Sequence, residues 1–297
     1  MKTSFTAVVR STVHSVLGSL LGFIPASCVR RPGAVILCTA VLGTLAPALR
    51  AAPAAFQVVS YNPGAGFAVN FTNATAALGE PARVNPFGEA TDPFNPPYGT
   101  NQVVSIGAGG SLVVRFRTPI LNHPRNPYGL DLILFGNTGF IITNEFDLTT
   151  FNWIGEPATD GSLFGQGTAQ AVVSVSHNGR KFHLLDPTRT PALDSFPPTD
   201  GAGNDGIPVR PDLGAEAFAG SSLRGIRDLY AGSAGGVGLD LSWAVDAAGH
   251  PVRLWEARYL RIDVLSGRME VDALTLVRRL PRSTRWHADG KETSGSR

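Results

Sequence analysis

Short apolar runs separated by clusters of glycine, proline and asparagine recur between residues 56 and 277 of this 297-residue chain. Runs of roughly four to eight residues between turn formers are typical of β-strands. About nine such runs with few helical patterns favour a sandwich or jelly roll. We therefore predict an all-β protein, an antiparallel β-sandwich of the jelly-roll type with long loops. The clearest runs are Phe56–Tyr61, Val103–Ile106, Ser111–Phe116, Leu130–Phe135, Ala171–Ser176, Arg180–Leu185, Tyr259–Val264 and Val271–Val277.

Turn formers between neighbouring runs predict two hairpins. Gly107-Ala-Gly-Gly110 separates the second run from the third, and Asn178-Gly179 separates the fifth from the sixth. Asn-Gly is the preferred pair of two-residue hairpin turns. The fourth run is almost continuously apolar with one carboxylate, as is expected of a central strand.

The remaining segments complete the predicted organisation. Asparagine, proline and glycine are concentrated at 72–101 and 186–216, which predicts two long surface loops. Apolar residues at helical spacing predict one short helix within 218–230. We expect three regions, namely a targeting segment at 1–52, a single sandwich domain at 53–280 and a polar tail at 281–297.

The first region has the features of an export signal. Arg30-Arg31 precedes an apolar run at 34–45, and small residues up to position 52 supply a cleavage-site pattern. The run is short for a membrane span, so a permanent anchor is the less favoured alternative. A second apolar stretch within 1–28 suggests the hypothesis that translation starts near Val29. We predict a secreted, periplasmic or cell-surface protein.

Removal of that segment changes the charge and the cysteine content. Residues 1–52 hold five of the 25 Lys and Arg residues and none of the 23 Asp and Glu residues, so the formal charge of +2 becomes negative in the remainder. A negative balance argues against nucleic acid or an anionic membrane as partner. Cys28 and Cys38 both lie in the removed segment, so neither a disulfide nor thiolate chemistry is expected in the mature chain.

Four motifs within residues 56–278 together resemble the sequence pattern of a known family. They are the segment 102–120, Asn126-Pro-Tyr-Gly-Leu-Asp-Leu-Ile-Leu-Phe-Gly-Asn137, Val175-Ser-His-Asn-Gly-Arg-Lys-Phe182 and Gly235-Gly-Val-Gly-Leu-Asp-Leu-Ser-Trp-Ala244. Together they resemble a family of uncharacterised bacterial cell-surface and exported proteins, many of which carry a PEP-CTERM sorting tag. The resemblance implies a galactose-binding-like jelly roll and little about activity.

This chain departs from that family in two places. Arg117 stands where the family usually has an aspartate before Thr-Pro. The segment 281–297 contains neither the Pro-Glu-Pro tag nor an apolar tail. The sequence therefore does not support surface anchoring through that tag.

A glycine-rich loop is the first candidate metal site. Asp200-Gly-Ala-Gly-Asn-Asp-Gly-Ile207 resembles one copy of a calcium-binding nonapeptide. Asp200, Asn204 and Asp205 would supply the oxygen ligands that calcium prefers. The alternative is an ordinary turn, because a single copy cannot stack into a β-roll and these residue types are common turn formers.

Carboxylates in or beside apolar strands are the second candidate. Asp131, Asp240 and Asp272 are such residues, as are Asp263 and Glu270. A buried carboxylate needs an opposite charge, hydrogen bonds or a metal ion. Salt bridges to strand arginines, a structural calcium and a pair of glycosidase carboxylates remain open alternatives. We take Asp131, Asp240 and Asp272 as further candidate calcium ligands.

The residues around Asp240 alternate in polarity. Leu239, Leu241 and Trp243 alternate with Asp240 and Ser242. This period of two predicts one strand with the apolar side chains on one face and Asp240 on the other. We expect Asp240 to be a surface or site residue and Trp243 to belong to the core.

Aromatic residues in predicted loops are candidate sugar contacts. Phe94 and Tyr98 lie in the first long loop, and Trp153 follows the central strand. Aromatic rings beside polar groups stack on the apolar faces of sugars. The alternative is that these rings close the ends of the sandwich.

The sequence contains no H-E-x-x-H, Walker, G-x-S-x-G or dinucleotide-binding motif. We therefore predict a protein without catalytic activity, an exported structural or ligand-binding module of the cell surface or envelope. Polysaccharide is the favoured ligand and calcium the favoured cofactor. The alternative is a carbohydrate-active hydrolase that uses strand-end carboxylates.

Overall fold

The computed structural model describes residues 52–165, 169–193, 196–278, 284–286 and 292–294. These residues belong to a unit that spans 48–297, and the predicted targeting segment lies outside them apart from Ala52. They form many short strands and one α-helix, α1 (Leu223–Tyr230). In chain order the strands are β1 (Ala55–Asn62), β2 (Val104–Gly107), β3 (Ser111–Leu121), β4 (Leu132–Phe135), β5 (Gly139–Phe140), β6 (Phe146–Asp147), β7 (Asn152–Trp153), β8 (Ala158–Thr159), β9 (Leu163–Phe164), β10 (Gln170–Ser176), β11 (His183–Leu185), β12 (Ser221–Ser222), β13 (Val237–Leu239), β14 (Ala244–Val245), β15 (Glu256–Ser266), β16 (Arg268–Val271), β17 (Ala273–Leu276), β18 (Thr284–Trp286) and β19 (Glu292–Ser294).

Two layers of strands form a sandwich. The first layer is a six-stranded sheet in the order β1-β3-β15-β10-β11-β14. The second layer contains the sheet β13-β4-β17 and the pair β16-β2, and Asp272 alone separates β16 from β17 along the chain. All these strands pair antiparallel. The predicted all-β antiparallel sandwich with long loops and one short helix is confirmed.

The main core fills the space between the two layers. Alternate residues of each strand point inward, so the two inner faces interdigitate. Each fully buried aliphatic or aromatic side chain stabilises the fold by about 1.5–3 kcal/mol relative to its exposed state. Core residues from both layers include Leu112, Val114, Phe116, Leu132, Leu134, Leu260, Ile262, Val271 and Leu276.

Strand β4 is buried on both of its faces. Leu132 and Leu134 point into the main core, whereas Ile133 and Phe135 belong to a second apolar cluster on the opposite side. The strand lies between β13 and β17 in its sheet. The prediction of a central strand from this continuous apolar run is confirmed, and the start of β4 is therefore held in a fixed position.

The two predicted hairpins have different outcomes. The prediction for 103–116 is wrong, because β2 pairs with β16 whereas β3 pairs with β1 and β15. The glycine-rich turn between them carries the chain from one layer to the other. Strands β10 and β11 do pair, through Ser174 with Leu184 and Val175 with His183. Their loop is longer than the two-residue turn that Asn178-Gly179 predicts.

The helix covers a third apolar cluster. The segment predicted to be helical contains the end of a 3-10 turn, Ala215–Phe218, and then α1. Ile226 and Tyr230 pack there with Phe140 and Phe218. This helix is too short and too polar to cross a membrane, and the described residues contain no other α-helix. In the predicted polar tail, β18 and β19 pair antiparallel.

Candidate functional site

A cavity of about 350 Å³ opens where β3 ends and β4 begins, and we call it the Asp131 cavity. Asp131 directly precedes β4, so the buried central strand fixes its position. Prolines and aliphatic side chains form much of the wall. The polar groups on the wall come from four residues, Thr118, Asn126, Asp131 and Arg278.

Protein donors hold the Asp131 carboxylate on both oxygens. The backbone N–H of His123 donates to Oδ1 at 3.1 Å, and Asn126 Nδ2 donates to the same oxygen at 2.8 Å. The backbone N–H of Leu241 donates to Oδ2 at 3.0 Å. Asp131 is only 2% exposed, and this burial, with a smaller contribution from the charge of Asp240, raises its pKa to about 7 despite these donors.

Two polar atoms at this cavity have no hydrogen-bond partner within the described part of the chain. Asn126 is 7% exposed, and the bond that its Nδ2 makes to Asp131 leaves Oδ1 as a buried acceptor without a donor. Arg278 Nη2 is a buried donor without an acceptor. An unsatisfied buried polar atom costs about 1–3 kcal/mol. The lining of this cavity thus includes one residue with an unsatisfied acceptor and one with an unsatisfied donor.

The predicted calcium loop has protein partners for its side chains. The guanidinium of Arg227 binds Asp200 through two bonds, Nε to Oδ2 at 2.7 Å and Nη2 to Oδ1 at 3.0 Å. Asn204 Oδ1 accepts from the backbone N–H of Gly206, and the carboxylate of Asp205 accepts from the backbone N–H of Ala52. The three side chains are thus directed to three different partners.

The other candidate calcium ligands also have different hydrogen-bond partners. Both oxygens of Asp272 accept from the backbone N–H of Ala82, at 3.0 and 3.3 Å, and burial raises the pKa of Asp272 to about 8. Asp240 accepts from the N–H and the hydroxyl of Ser242, both at 2.6 Å. Within the described ranges, no three His, Cys, Asp or Glu residues are close enough to share an ion. Calcium binding stays a prediction.

The segment after Asp240 differs from the predicted strand. Strand β13 ends at Leu239, and Leu241–Trp243 form a 3-10 turn that Asp240 caps. The prediction of one strand through Trp243 is wrong, because the backbone N–H of Ser242 donates to Asp240 Oδ1 and the chain turns there instead. Leu239 and Leu241 are nevertheless buried, and Asp240 remains half-exposed.

Salt bridges account for two of the strand carboxylates. Arg261 Nη2 lies 2.6 Å from Asp263 Oδ1, and Arg268 Nε lies 2.9 Å from Glu270 Oε1. Asp131 and Asp272 form no ion pair with any described residue. The strand carboxylates therefore divide between ion pairs and backbone hydrogen bonds.

The predicted aromatic contacts lie in different surroundings. Trp153 is 38% exposed, and its ring packs edge-on against Phe146 at 4.9 Å between centroids. Phe151, which is 76% exposed, makes a second edge contact with Phe146 at 6.4 Å. Tyr98 lies 6.2 Å from the Phe87 ring. Phe94 instead packs, half-buried, against the cluster beneath α1.

The outer face of the six-stranded sheet carries arginines that the sequence analysis did not select. Arg115 and Arg117 alternate with buried residues of β3 and point outward, close to the rings of Phe56 and Tyr259. The alternation of arginine with apolar residues was the available signal. Asn126 and Arg278 were also missed, because no pattern along the chain shows that a buried atom lacks a partner.

Comparison with known proteins adds little to this geometry. No protein-family profile and no curated protein sequence matches the chain. Among solved structures, it aligns with a pectin-binding carbohydrate-binding module over 74% of this chain and 91% of that one, with a TM-score of 0.28 and 8% identity. A likeness this low supports no inference about function.

Proposed function

We propose that the protein is an exported, non-catalytic module of the cell surface or envelope that binds a glycan in the Asp131 cavity. The proposal is carried by Asn126 and Arg278, two residues of the cavity lining that each hold a buried side-chain atom without a hydrogen-bond partner among the described residues. Both atoms are shielded from solvent, so the proposal includes a rotation of each side chain toward the cavity. A sugar hydroxyl can then donate to Asn126 Oδ1, and its neighbour can accept from Arg278 Nη2. The volume of about 350 Å³ falls within the range of roughly 300–1,000 Å³ typical of ligand pockets.

The apolar surface of the cavity also suits a sugar. Pro53 and Pro119 present apolar surface, against which the C–H face of a pyranose can pack. Asp131 orients Asn126 through the 2.8 Å bond from Nδ2, which leaves the amide oxygen as the free acceptor. Asp131 thus acts as a positioning residue in this proposal, and Asn126 and Arg278 bind the ligand.

A hydrolase is less well supported than a binding module. Glycosidases use two carboxyl groups separated by about 5–10 Å on either side of the scissile bond. Asp131 is the single carboxylate among the described residues that line the cavity. Its two oxygens already accept three protein hydrogen bonds. Burial is the main cause of the raised pKa of Asp131, and Asp240, whose charge contributes less, is not among the described residues that line the cavity.

The test variant removes the unpaired Nη2 donor of Arg278 and keeps the packing of its aliphatic stem. The aliphatic stem of Arg278 packs close to Gly206, and the Arg278→Met variant keeps most of that stem. We expect the wild-type protein to bind at least one ligand on a glycan array. The variant should bind it at least about tenfold more weakly, since a charged hydrogen bond contributes about 1.5–3 kcal/mol.

Two control variants locate the binding site. Arg224 is exposed on α1, and Arg224→Met should leave glycan affinity unchanged. Trp153→Ala tests the exposed aromatic residues of the paired strands β6 and β7. Loss of binding in Trp153→Ala with full binding in Arg278→Met would place the ligand outside the cavity. A folded wild-type protein that binds nothing on an array of bacterial and plant glycans would refute the proposed function.

A further inference from the structure

Two exposed arginines lie side by side on the outer face of the six-stranded sheet. Arg115 and Arg117 alternate along β3 with Val114 and Phe116, which are buried in the main core. Neither arginine forms an ion pair with a described residue. Because two residues along a strand span about 6.6–6.8 Å, the two guanidinium groups leave β3 from neighbouring points of its outer face.

Aromatic rings flank both guanidinium groups. The Cζ atom of Arg115 lies 5.8 Å from the centroid of Phe56 and 5.7 Å from that of Tyr259. The Cζ atom of Arg117 lies 5.1 Å from the centroid of Phe56. Tyr259 is the direct cross-strand partner of Arg115 on β15. A register shift in β1 between Ala55 and Gln57 accompanies the outward position of Phe56, which is 38% exposed.

The other charges on this face leave it positive. Arg261 pairs with Asp263, and Glu256 contacts His177 at 3.2 Å and Arg258 at 3.9 Å. The β10–β11 loop adds two exposed cations in a turn that packs against Tyr259 at Gly179. These two cations are Arg180 and Lys181. Among the described residues, therefore, no carboxylate forms an ion pair with Arg115 or Arg117.

From this arrangement we infer a second ligand surface, which binds an acidic polysaccharide built from uronic acid residues. A guanidinium group matches a carboxylate through two parallel hydrogen bonds. The rings of Phe56 and Tyr259 hold the guanidinium groups at the surface through cation–π contacts, which positions them for a carboxylate. The surface is open and crosses three strands, so it suits an extended chain, whereas the Asp131 cavity suits a single sugar.

The experiment measures binding of the complete protein to alginate, a polymer of uronic acids, by isothermal titration calorimetry at low salt. Neutral dextran, dextran sulfate and polyglutamate are compared in parallel. We expect alginate to bind and neutral dextran not to bind. Raising the salt concentration should weaken alginate binding severalfold, because exposed charges are screened.

The variants separate charge from geometry. The double variant Arg115→Ala with Arg117→Ala should bind alginate at least tenfold more weakly, and circular dichroism checks that it folds. The double lysine variant keeps both charges and should still lose about threefold or more, because an ammonium group lacks the paired donors and the planar stacking. Arg224→Ala, a change of an exposed helix arginine, should leave alginate affinity unchanged.

Several outcomes would overturn the inference. Unchanged alginate binding in the double alanine variant removes the arginines from the site. Polyglutamate binding as tight as alginate binding shows a general attraction to polyanions, and binding to dextran sulfate alone contradicts the uronate assignment. Arg278→Met should retain alginate binding. That result keeps failure of this inference distinct from failure of the glycan proposal for the Asp131 cavity.

Discussion

We predict that Asp272 makes the stability of this protein depend on pH in a direction opposite to that of most carboxylates. Its side chain is 2% exposed, and its only donor in the described part of the chain is the backbone N–H of Ala82. Burial raises its pKa from 3.8 to about 8. Between these two values the folded state holds a proton that the unfolded state has released. The free energy of unfolding must therefore fall as the pH rises through this window.

The size of the effect follows from the same shift. One pKa unit corresponds to about 1.36 kcal/mol. Between pH 5 and pH 8 the unfolded carboxylate is already ionised, whereas the folded one begins to ionise only near the upper limit. The contribution of Asp272 to the free energy of unfolding should thus fall by roughly 3–4 kcal/mol over this range.

The assay is urea denaturation at pH 5, 6, 7 and 8 with a metal chelator present. Asp272→Asn keeps an acceptor for the N–H of Ala82 and cannot ionise. Subtracting its stability from that of the wild type at each pH isolates Asp272 from other titrating groups. The difference should favour the wild type at pH 5 and the variant at pH 8. Asp263→Asn, at an ion-paired surface position, is the matched control and should show no such crossover.

A difference curve that is flat between pH 5 and pH 8, or that rises in favour of the wild type, would falsify the reasoning. Either result would mean that Asp272 stays ionised in the folded state. An unseen counter-charge or a bound cation would then have to compensate its burial.

Two further predictions concern the 200–207 loop. If calcium binds there or at the strand carboxylates, excess chelator should lower the melting temperature of protein that was first shown to be metal-loaded. The reason is that a ligand of the native state stabilises it by mass action. An unchanged melting curve rules out a stabilising calcium. Arg227→Leu should lower the free energy of unfolding by about 1–3 kcal/mol, because it removes the charged partner of Asp200, whose side chain is 2% exposed, and leaves it the backbone N–H of Ala202. Arg224→Leu on the same helix is the control and should change the free energy of unfolding by less than about 0.5 kcal/mol. Equal effects of the two substitutions would contradict a stabilising role for the Asp200–Arg227 pair.

The fold class was accessible from the sequence because strand formation leaves a local signal. The apolar run at β4 predicts a strand buried on both faces, and Ile133 and Phe135 do pack outward against a second cluster. The helical spacing of Ile226 and Tyr230 likewise predicts α1. In both cases the repeat of the backbone decides which side chains share a face, and that repeat is visible along the chain.

Pairing between strands was less accessible, because it depends on contacts distant in sequence. The glycines at 107–110 are as compatible with a crossover between layers as with a hairpin, and only the partners of β2 and β3 distinguish the two. The alternation through Asp240 fits a strand, yet a hydrogen bond from Ser242 N–H closes a 3-10 turn there. Local pattern sets the polarity of positions but does not choose among backbone paths of similar energy.

The candidate sites show the same division. The sequence by itself selected Asp131 as a carboxylate in an apolar strand and Trp153 as a loop aromatic, since residue type and neighbours suffice for that choice. Only the tertiary structure brought Asn126 and Arg278 to the cavity beside Asp131, and Phe56 and Tyr259 to the arginines of β3. Whether a buried polar atom is satisfied, or a cation lacks a counter-charge, is a property of its surroundings in space, and residues far apart in the chain supply those surroundings.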